Sequence, residues 1–371
     1  MTIDGIAVPL LDAPTVHDAA ARAGIRIPVL CHREGLHPVG GCGVCTVEDT
    51  TSGRLLPACS TPPCETMAIL TASPAALQAR RDALELLLSN HPADCEAPCQ
   101  LACPSGLPVP QMLEAITEGR WQEASRLAHQ HPVTCGDAAP CEKACRRRPM
   151  GGAVAICALH RWLAGDAPQT ATTDRLRPPT ATPARFRSRM PRPDEATMQT
   201  LCAESGPRRI SDAATADLTH DDAAYEAARC LQCGCRKPDA CRLRDLCTET
   251  GARQSAFAGE HSTMARDRSG TFRFDAARCV LCGICVRTAQ QRQASIAPTF
   301  QGRGFTTRIA PPLGRTWDEI PPDILAACAA ACPTGAMTLV PATEMRFGTR
   351  CPAAHGAAAP DKCPLAKFGV R

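Results

Sequence analysis

The feature that most constrains this chain is its cysteine content, 25 of 371 residues, most of them in short runs. One run, NHPADCEAPCQLACP over residues 90–104, sets three cysteines at every fourth position behind a histidine. A chain this long does not depend on disulfides for its core, and its N-terminal MTIDGIAVPLLDAP lacks the features of a secretory signal peptide. Grouped thiols in a reducing compartment are typical of metal or redox sites. We therefore expect a cytoplasmic protein whose cysteines bind metal.

The rest of the composition narrows the fold class. Aromatic residues make up 3% of the chain, which is too few to fill one large core. Metal sites compensate, since metal-binding free energy is also folding free energy. The net charge of +4 does not indicate a nucleic-acid partner, and no run approaches the roughly 20 apolar residues of a membrane span. We expect an α+β protein of several small modules.

Residues 1–75 read as the first module. MTIDGIAVPL predicts two short strands about an Asp-Gly turn, and TVHDAAARAGI predicts a helix with Thr15 as its N-cap and Gly24 just past its end. The glycines of VGGCGVC let a loop wrap closely around an inorganic centre, with backbone N–H groups turned toward sulfide. A hairpin, VEDTTSGRLLPA, separates the last two of the four cysteines in this module: Cys31, Cys42, Cys45 and Cys59.

This spacing resembles the β-grasp [2Fe–2S] ferredoxin domain at the head of the large iron–sulfur subunit of respiratory complex I. NAD-reducing hydrogenases and NAD-linked formate dehydrogenases carry similar domains. The resemblance implies a [2Fe–2S] cluster with these four cysteines as ligands. A zinc knuckle is the alternative, although zinc usually takes closely spaced cysteine pairs.

Residues 76–165 predict a helical module. SPAALQARRDALELLLSNH has Ser73 as N-cap and Pro74 at the first helical position, and the helix leads to His91. Two further helical patterns, PQMLEAITEG and RWQEASRLAHQ, separate two runs of three cysteines, Cys95, Cys99 and Cys103 before Cys135, Cys141 and Cys145. Together with His91, these cysteines make seven candidate ligands. Seven are too many for one cubane cluster, which takes four, and one too few for two clusters. The helix in GGAVAICALHRWLA offers Cys157 and His160, which are three positions apart and can face the same way.

The segment NHPADC resembles the point in complex I where a histidine ligates a [4Fe–4S] cluster. The cysteine rhythm resembles the all-α, two-cluster N-terminal domain of the glutamate synthase small subunit and of dihydropyrimidine dehydrogenase. That family has Gln or Glu where His160 stands, which favours His160 over Cys157. In two-cluster ferredoxins the cysteine before proline ligates the other cluster, and the resembled domain behaves likewise. The resemblance thus implies two [4Fe–4S] clusters, one on His91, Cys95, Cys99 and Cys145, the other on Cys103, Cys135, Cys141 and His160.

His91 has two interpretations. A histidine at a helix end before proline is commonly a surface residue that interacts with the helix dipole. As a ligand, its neutral imidazole removes one negative charge relative to a thiolate and favours the reduced cluster. The three cysteines directly behind it favour the ligand interpretation.

Residues 166–220, rich in Pro, Thr and Arg, predict a solvated, extended linker, or alternatively a segment that wraps a partner subunit. A helix capped by Asp221 or Asp222 is expected to follow. Residues 221–265 then form a small cluster motif that resembles glutamate-synthase-like iron–sulfur flavoproteins. The implied [4Fe–4S] ligands are Cys230, Cys233, Cys235 and Cys241, with Cys247 able to displace the last and with zinc as an alternative metal.

Residues 266–345 predict a ferredoxin-like module, because RCVLCGICVR has the C-x2-C-x2-C run of [4Fe–4S] ferredoxins. No cysteine follows at position 289, and AACAAACPTGAM resembles the CPTG segment that supplies the last ligand in complex I. The expected ligands are Cys279, Cys282, Cys285 and Cys332, with Cys328 as buried packing. Residues 346–371, with Cys351 and Cys363, are expected to be a loose tail that docks on a partner.

Nucleotide-binding and nucleophilic motifs are missing from the sequence. There is no G-x-G-x-x-G after a strand, no P-loop, and no Ser/His/Asp or Cys/His arrangement apart from the metal candidates. We expect an iron–sulfur electron-transfer subunit of an NAD(P)-linked oxidoreductase, without a substrate site of its own, bearing one [2Fe–2S] and four [4Fe–4S] clusters. Its partners would be a flavin subunit that oxidises NAD(P)H and a catalytic formate dehydrogenase or hydrogenase subunit. The alternatives are an electron relay in a glutamate-synthase-like flavoprotein complex and a zinc-stabilised interaction scaffold.

Overall fold

Short helices and short strands alternate with the cysteine runs. The computed structural model describes residues 1–165, 185–191, 195–203, 210, 218–257 and 266–340. The described helices are α1 (Val16–Arg22), α2 (Pro74–Ser89), α3 (Pro98–Ala102), α4 (Val109–Thr117), α5 (Trp121–Gln130), α6 (Pro140–Lys143), α7 (Ile156–Ala164), α8 (Glu195–Ala203), α9 (His220–Ala228), α10 (Arg242–Thr250), α11 (Ile284–Gln291) and α12 (Pro322–Ala331). The described strands are β1 (Thr2–Ile3), β2 (Ile6–Ala7), β3 (Thr46–Asp49), β4 (Arg54–Pro57), β5 (Ala68–Leu70), β6 (Arg266–Ser269), β7 (Phe272–Asp275), β8 (Thr299–Gln301), β9 (Arg308–Ala310) and β10 (Met337–Leu339).

The chain divides into two units, each built from separate stretches of sequence. The first unit contains residues 1–93, 181–189 and 237–340. The second contains residues 94–180, 190–236 and 341–371. The expected mixture of helix and sheet is confirmed. Within the described ranges, no helix has the length and apolar character needed to cross a membrane.

In the first unit, β1 to β5 form one mixed sheet in the order β2-β1-β5-β3-β4. β1 pairs antiparallel with β2 and parallel with β5, whereas β3 pairs antiparallel with both β4 and β5. Helix α1 covers the sheet with Val16 and Ala20, which pack against Ile3, Val47 and Ile69. Thr15 caps α1 as the sequence predicts, by accepting a hydrogen bond from the Asp18 amide.

A second part of the first unit surrounds the predicted ferredoxin-like run. β6, β7 and β10 form an antiparallel sheet in the order β10-β7-β6, and β8 and β9 form a separate hairpin. The rings of Phe272 and Phe274 lie 5.1 and 5.0 Å from Trp317, and the three belong to one buried cluster. Residues of α11 and α12 belong to the same buried hydrophobic group. The two helices that carry or precede ligand candidates therefore pack against these aromatic rings.

Helices α2 and α10 form a third layer of the first unit. Leu84 and Leu88 of α2 share a buried cluster with Leu243 and Leu246 of α10. Ser73 caps α2 and Pro74 stands in its first turn, as predicted. The packing places the C-terminal end of α2, and therefore His91, inside this unit.

Part of the predicted linker packs into the first unit. The Phe186 amide donates a hydrogen bond to Thr248 Oγ1 of α10, and Ser188 Oγ donates one to the Ala93 carbonyl at 2.7 Å. Arg185 forms ion pairs with Asp239 and Asp245. The prediction of a solvated linker is therefore wrong for residues 185–189, because these side chains and amides find partners on α10, just before it and in the segment after α2. Residues 166–184 lie outside the described part of the chain.

All regular elements in the described part of the second unit are helices. One buried cluster joins them, with residues from α4, α5, α7 and α9. Helix α9 begins at His220, and a capping box places Thr219 as its N-cap with Asp222 reaching back to the Thr219 amide. The expected caps Asp221 and Asp222 are therefore wrong by two to three positions, because the threonine hydroxyl takes the amide of Asp222.

Candidate metal centres

The four cysteines of the N-terminal module lie together, as the sequence predicts. Cys31, Cys45 and Cys59 are buried, and Cys42 is half-buried. Hydrogen bonds from the thiols of Cys42 and Cys59 lower the pKa of the Cys31 thiol to about 2. A hydrogen bond from Cys59 lowers the pKa of Cys45 to about 7. Four thiols in hydrogen-bond reach of one another form a ligand set for a single metal centre.

The glycine-rich loop of this module shapes the site. Gly40 and Gly43 have φ angles of +63° and +69°, in the left-handed region that glycine tolerates. A Cβ at Gly40 would lie 2.5 Å from Ser60 Oγ, and one at Gly43 would lie 3.0 Å from the Ala83 side chain. The amides of Gly41 and Cys42 point at the Cys31 sulfur. Backbone N–H groups directed at sulfur are the arrangement that an anionic iron–sulfur core requires.

The ferredoxin-like module brings its four predicted cysteines together as well: Cys279, Cys282, Cys285 and Cys332. Burial, and secondarily the charges of neighbouring thiolates, raise the pKa of Cys279 and of Cys282 to about 12. The Leu281 amide points at the Cys279 sulfur, with Leu281 itself at a φ of 53°. The thiolate charges repel one another in this buried place, and a bound cation among the sulfur atoms would relieve that repulsion.

Cys328 is packing rather than part of the ligand geometry. Its side chain is fully buried, and its Sγ donates to the Cys285 carbonyl at 3.4 Å. Its thiol is therefore directed at a backbone oxygen, one helical turn from Cys332. This agrees with the packing role expected from the sequence.

The two cysteine groups of the first unit are neighbours. The negative charge of Cys31 helps to raise the pKa of Cys282, after burial and the charge of Cys332. Arg287 donates hydrogen bonds to the carbonyls of Cys31 and Cys282 at 2.5 and 3.2 Å. On the next turn of α11, Gln291 donates to the Gly35 carbonyl at 2.8 Å. Helix α11 therefore fastens the loop around Cys31 to the ferredoxin-like run.

His91 is buried and chemically prepared to act as a ligand. Its ring is 7% exposed, and its Nδ1 atom has no hydrogen-bond partner in the described part of the chain. Burial, and secondarily the positive charge of Arg278, lower the pKa of His91 to about 4. The imidazole is therefore neutral at physiological pH. These observations contradict a solvated histidine at a helix end and fit a metal ligand.

In the second unit, one group of thiols combines both predicted cysteine runs. Cys141 Sγ and Cys157 Sγ lie 3.5 Å apart, and Cys135 Sγ lies 3.9 Å from Cys157 Sγ. The negative charge of Cys103 raises the pKa of Cys135, after burial and the charge of Cys157. Cys103, Cys135 and Cys141 were expected in one cluster, and the structure brings these three together with Cys157.

His160, the residue favoured from the sequence as the eighth ligand, does not join this group; the alternative, Cys157, does. Its Nε2 hydrogen-bonds the Ala128 carbonyl of α5 at 3.2 Å, and the ring is buried there. Cys157 stands in the first turn of α7, where its amide donates to Glu142 Oε1 at 2.9 Å. Because α7 packs against α5, the His160 ring contacts the Ala128 carbonyl, whereas the Cys157 side chain faces the other thiols.

A further group of thiols in the second unit contains cysteines from two different predicted motifs. One cavity is lined by four cysteines, together with Val109, Leu113 and other apolar residues: Cys99, Cys145, Cys230 and Cys233. Burial raises the pKa of Cys99 well above its usual value, and the negative charges of the other three cysteines raise it further.

The compact motif expected over residues 230–241 is therefore divided. Cys230 and Cys233 face Cys99 and Cys145, whereas Cys241 belongs to the first unit, where it precedes α10 and packs in a buried cluster. The Cys235 amide donates to the Cys95 carbonyl at 3.2 Å. The four cysteines of the predicted motif do not fall within one unit, since Cys230, Cys233 and Cys235 belong to the second unit and Cys241 to the first.

Sequence reasoning offered Cys157 but favoured His160, and it missed the grouping of Cys99 with Cys230. For Cys157, the proximity to Glu142 and Cys141 depends on the packing of α6 and α7, which leaves no local pattern. For Cys230, the sequence did carry one signal. The C-x2-C spacing of Cys230 and Cys233 equals that of Cys279 and Cys282, whereas Cys235 and Cys241 stand outside this spacing.

Two family models match the chain. Residues 1–74 match the 2Fe-2S iron-sulfur cluster binding domain, and residues 86–172 match domain II of dihydropyrimidine dehydrogenase, described as a 4Fe-4S cluster domain. The chain therefore contains iron–sulfur domains of both kinds, and the expected resemblance to the two-cluster domain is confirmed.

Relatives come from NAD(P)-linked enzymes. The chain is 35% identical to the NADH-ubiquinone oxidoreductase 75 kDa subunit of Reclinomonas americana over 124 residues, 33% of this chain and 18% of that protein. It is 40% identical over 95 residues to the NADPH-Fe(3+) oxidoreductase subunit alpha of Geobacter sulfurreducens, 26% of this chain and 11% of that protein. It is 42% identical over 100 residues to the NADP-reducing hydrogenase subunit HndD of Solidesulfovibrio fructosivorans, 26% and 17% of the two chains.

The chain thus spans less than a fifth of the length of these relatives. A solved structure of an NAD+-reducing [NiFe]-hydrogenase aligns with 93% of this chain and 88% of its own, at 17% identity and a TM-score of 0.48. The resemblance to complex I and to NAD-linked hydrogenases expected from the sequence is confirmed by the matched relatives.

Proposed function

We propose that this chain is the iron–sulfur electron-transfer subunit of a multi-subunit NAD(P)-linked oxidoreductase. The observation that carries the proposal is the gathering of four separate sets of four cysteines, each in one place, beside matches to a [2Fe–2S] and a [4Fe–4S] family model. The first set, in a β-grasp domain, would hold a [2Fe–2S] cluster. The other three sets would hold one [4Fe–4S] cluster each, and a fourth [4Fe–4S] cluster with His91 among its ligands would complete the expected one [2Fe–2S] and four [4Fe–4S] clusters.

The chemistry of the ligand sets supports iron–sulfur clusters. Within the described residues, the sets consist of cysteine sulfur with no carboxylate among them, which suits soft metals and iron–sulfur cores. Amides of Gly41, Cys42 and Leu281 point at the ligand sulfurs. Bound clusters would supply one-electron carriers, while the residues of this chain fix their position, exclude water and tune their potentials.

The kind of complex is inferred from the names of proteins that are similar to this chain. These are subunits of NADH-ubiquinone oxidoreductase and of an NADP-reducing hydrogenase. We expect one partner subunit that binds flavin and oxidises NAD(P)H, and a second that carries a hydrogenase or formate dehydrogenase centre. The chain would pass electrons between them.

A second candidate rests on the match of residues 86–172 to a dihydropyrimidine dehydrogenase domain. In that case the partner would be a glutamate-synthase-like flavoprotein, and the complex would act as a transhydrogenase or a bifurcating enzyme. Identification of the subunits that co-purify with the tagged chain separates the two candidates, because only the first includes a hydrogenase or formate dehydrogenase subunit.

Metal analysis and spectroscopy of the anaerobically purified chain test the proposal itself. We expect about 18 iron atoms per chain, two from the [2Fe–2S] and four from each [4Fe–4S] cluster, with EPR signals of both kinds after reduction. The chain alone should neither bind flavin nor oxidise NADH. Stoichiometric zinc with little iron would overturn the proposal in favour of a zinc-stabilised scaffold.

A further inference from the structure

One [4Fe–4S] site of the second unit is assembled from two stretches of chain far apart in sequence. We propose that Cys99, Cys145, Cys230 and Cys233 ligate a single [4Fe–4S] cluster, so that the pair in RCLQC completes a site begun in the matched domain of residues 86–172. The inference rests on the proposed iron–sulfur function and assigns ligands that lie partly outside that domain. Cys230 follows Cys145 by 85 positions.

The first argument is geometric. The four sulfur-bearing side chains line one cavity whose other walls are apolar. Cys99 lies in the short helix α3, and Cys145 follows α6, so two helix ends supply one side of the site. The loop from Cys230 to Cys233 supplies the other side. An apolar cavity with four converging thiols fits a cubane better than it fits water, since water there would find few oxygen or nitrogen partners.

The second argument comes from the conformation of this loop. Gln232 has a φ of 50°, and its amide donates to the Cys230 sulfur at 3.4 Å. Leu281 occupies the same place in the C-x2-C pair of the ferredoxin-like module, with a φ of 53° and its amide directed at the Cys279 sulfur. A left-handed residue other than glycine is uncommon. The two loops therefore share an energetically unfavourable left-handed residue, and in both the amide of that residue is directed at the sulfur of the first cysteine.

The third argument is that buried charges hold the loop in place. Arg229 is fully buried, and it donates to the carbonyls of Gly151, Gly152 and Ala153 and pairs with Glu226. Arg147, two residues after Cys145, donates to the Arg229 carbonyl at 3.2 Å. The start of the 230–233 loop is thus fastened to the segment that follows Cys145.

The far side of the loop is fastened to helix α4. Gln232 Nε2 donates to the Pro110 carbonyl at 2.9 Å, and Arg236 pairs with Glu114 at 2.7 Å. A Cβ at Gly234 would lie 3.0 Å from the Ala97 amide nitrogen, two positions before Cys99. The loop is therefore held on both sides by protein contacts that do not involve the four cysteine sulfurs. Four candidate ligands of the predicted cysteine runs are outside the proposed set: Cys95 and Cys235, which belong to the second unit, and His91 and Cys241, which belong to the first.

Three variants of the full-length chain, purified anaerobically, test the ligand set: Cys99→Ser, Cys230→Ser and the double variant. We expect each single variant to lose the same [4Fe–4S] EPR signal and about four iron atoms. The double variant should lose no more iron than either single variant, because one cluster cannot be lost twice. Cys64→Ser, at an exposed cysteine outside every group, serves as the control and should keep all iron.

Losses that add up in the double variant, to about eight iron atoms with two distinct signals missing, would overturn the ligand set. A wild-type chain without iron would overturn the proposed function as well, so the two failures are distinguishable. A measurement on the wild-type chain guards against variants that misfold. After removal of iron and mild oxidation, peptide mapping should find disulfides that join Cys99 or Cys145 to Cys230 or Cys233. Disulfides from Cys230 or Cys233 to Cys235 or Cys241 would instead overturn the set.

Discussion

Arg287 donates a hydrogen bond from its guanidinium to the backbone carbonyl of Cys31 at 2.5 Å, across 256 positions of sequence. The same side chain also reaches the Cys282 carbonyl. One positive charge therefore lies beside a ligand of the [2Fe–2S] candidate and a ligand of the ferredoxin-like candidate. A hydrogen-bonded cation at this place stabilises added negative charge on both sides and holds the two loops in register.

Arg287→Gln should lower the reduction potentials of both neighbouring clusters by some tens of millivolts, because a positive charge that favours the reduced forms is lost. Redox titration followed by EPR measures the two potentials separately. Arg303→Gln, at an exposed arginine of the same unit, removes the same charge away from both groups and should change neither potential. Unchanged potentials in Arg287→Gln would show that its charge does not act on the clusters.

His91→Cys should retain a [4Fe–4S] cluster and lower its reduction potential, because a thiolate adds the negative charge that a neutral imidazole lacks. The pKa of about 4 places His91 in its neutral form at the pH of the measurement. His129→Cys, at an exposed histidine of α5, is the matched control. If His91→Cys leaves every potential where it is in the wild type, His91 is not a ligand.

Cys157→Ser should cost the chain about four iron atoms and one EPR signal, whereas His160→Gln should keep both. The Cys157 sulfur lies 3.5 Å from that of Cys141, but the His160 ring is engaged by the Ala128 carbonyl. The glutamine amide can still donate to that carbonyl, which preserves the packing of α7. Because a glutamine side chain can itself ligate a cluster, His160→Leu, which has no ligand atom, is the second variant and should keep the signal as well. Cys141→Ser should remove the same signal as Cys157→Ser. Loss of the signal in His160→Gln alone would restore the histidine as the ligand.

Arg229→Gln should destabilise the second unit by about 3–5 kcal/mol, because it leaves the buried carboxylate of Glu226 without its cation. The temperature at which the helical circular dichroism is lost, at a fixed heating rate, reports the change. Adding Glu226→Gln should recover part of the loss, since no unpaired charge then remains buried. Arg161→Gln breaks a pair with the exposed Asp137 and should cost less than about 1 kcal/mol. Equal losses in the two single variants would contradict a buried ion-pair effect.

Short-range features of this protein could be predicted from its sequence. The caps Thr15 and Ser73 and the hairpins of the first module were placed correctly, and the cysteines of the C-x2-C-x2-C run lie near one another as expected. Each depends on hydrogen bonds or turn geometry within a few residues, so the local residues suffice to specify it. The four cysteines of the first module also group as expected, because one hairpin and one glycine-rich loop bring them together.

The grouping of the other ligands depended on tertiary structure. Cys99 and Cys230 share a cavity although 131 positions separate them, and the residues that bring them together are the buried Arg229 and the loop contacts to α3 and α4. Cys157 rather than His160 lies among the thiols, because the packing of α5 against α7 engages the histidine ring. Residues 185–189 pack on α10 because that helix offers Thr248 and Asp245 as partners. The cysteine spacing predicts several metal centres, but which distant thiols lie together is decided only when helices pack, since packing determines which sulfur atoms face the same space.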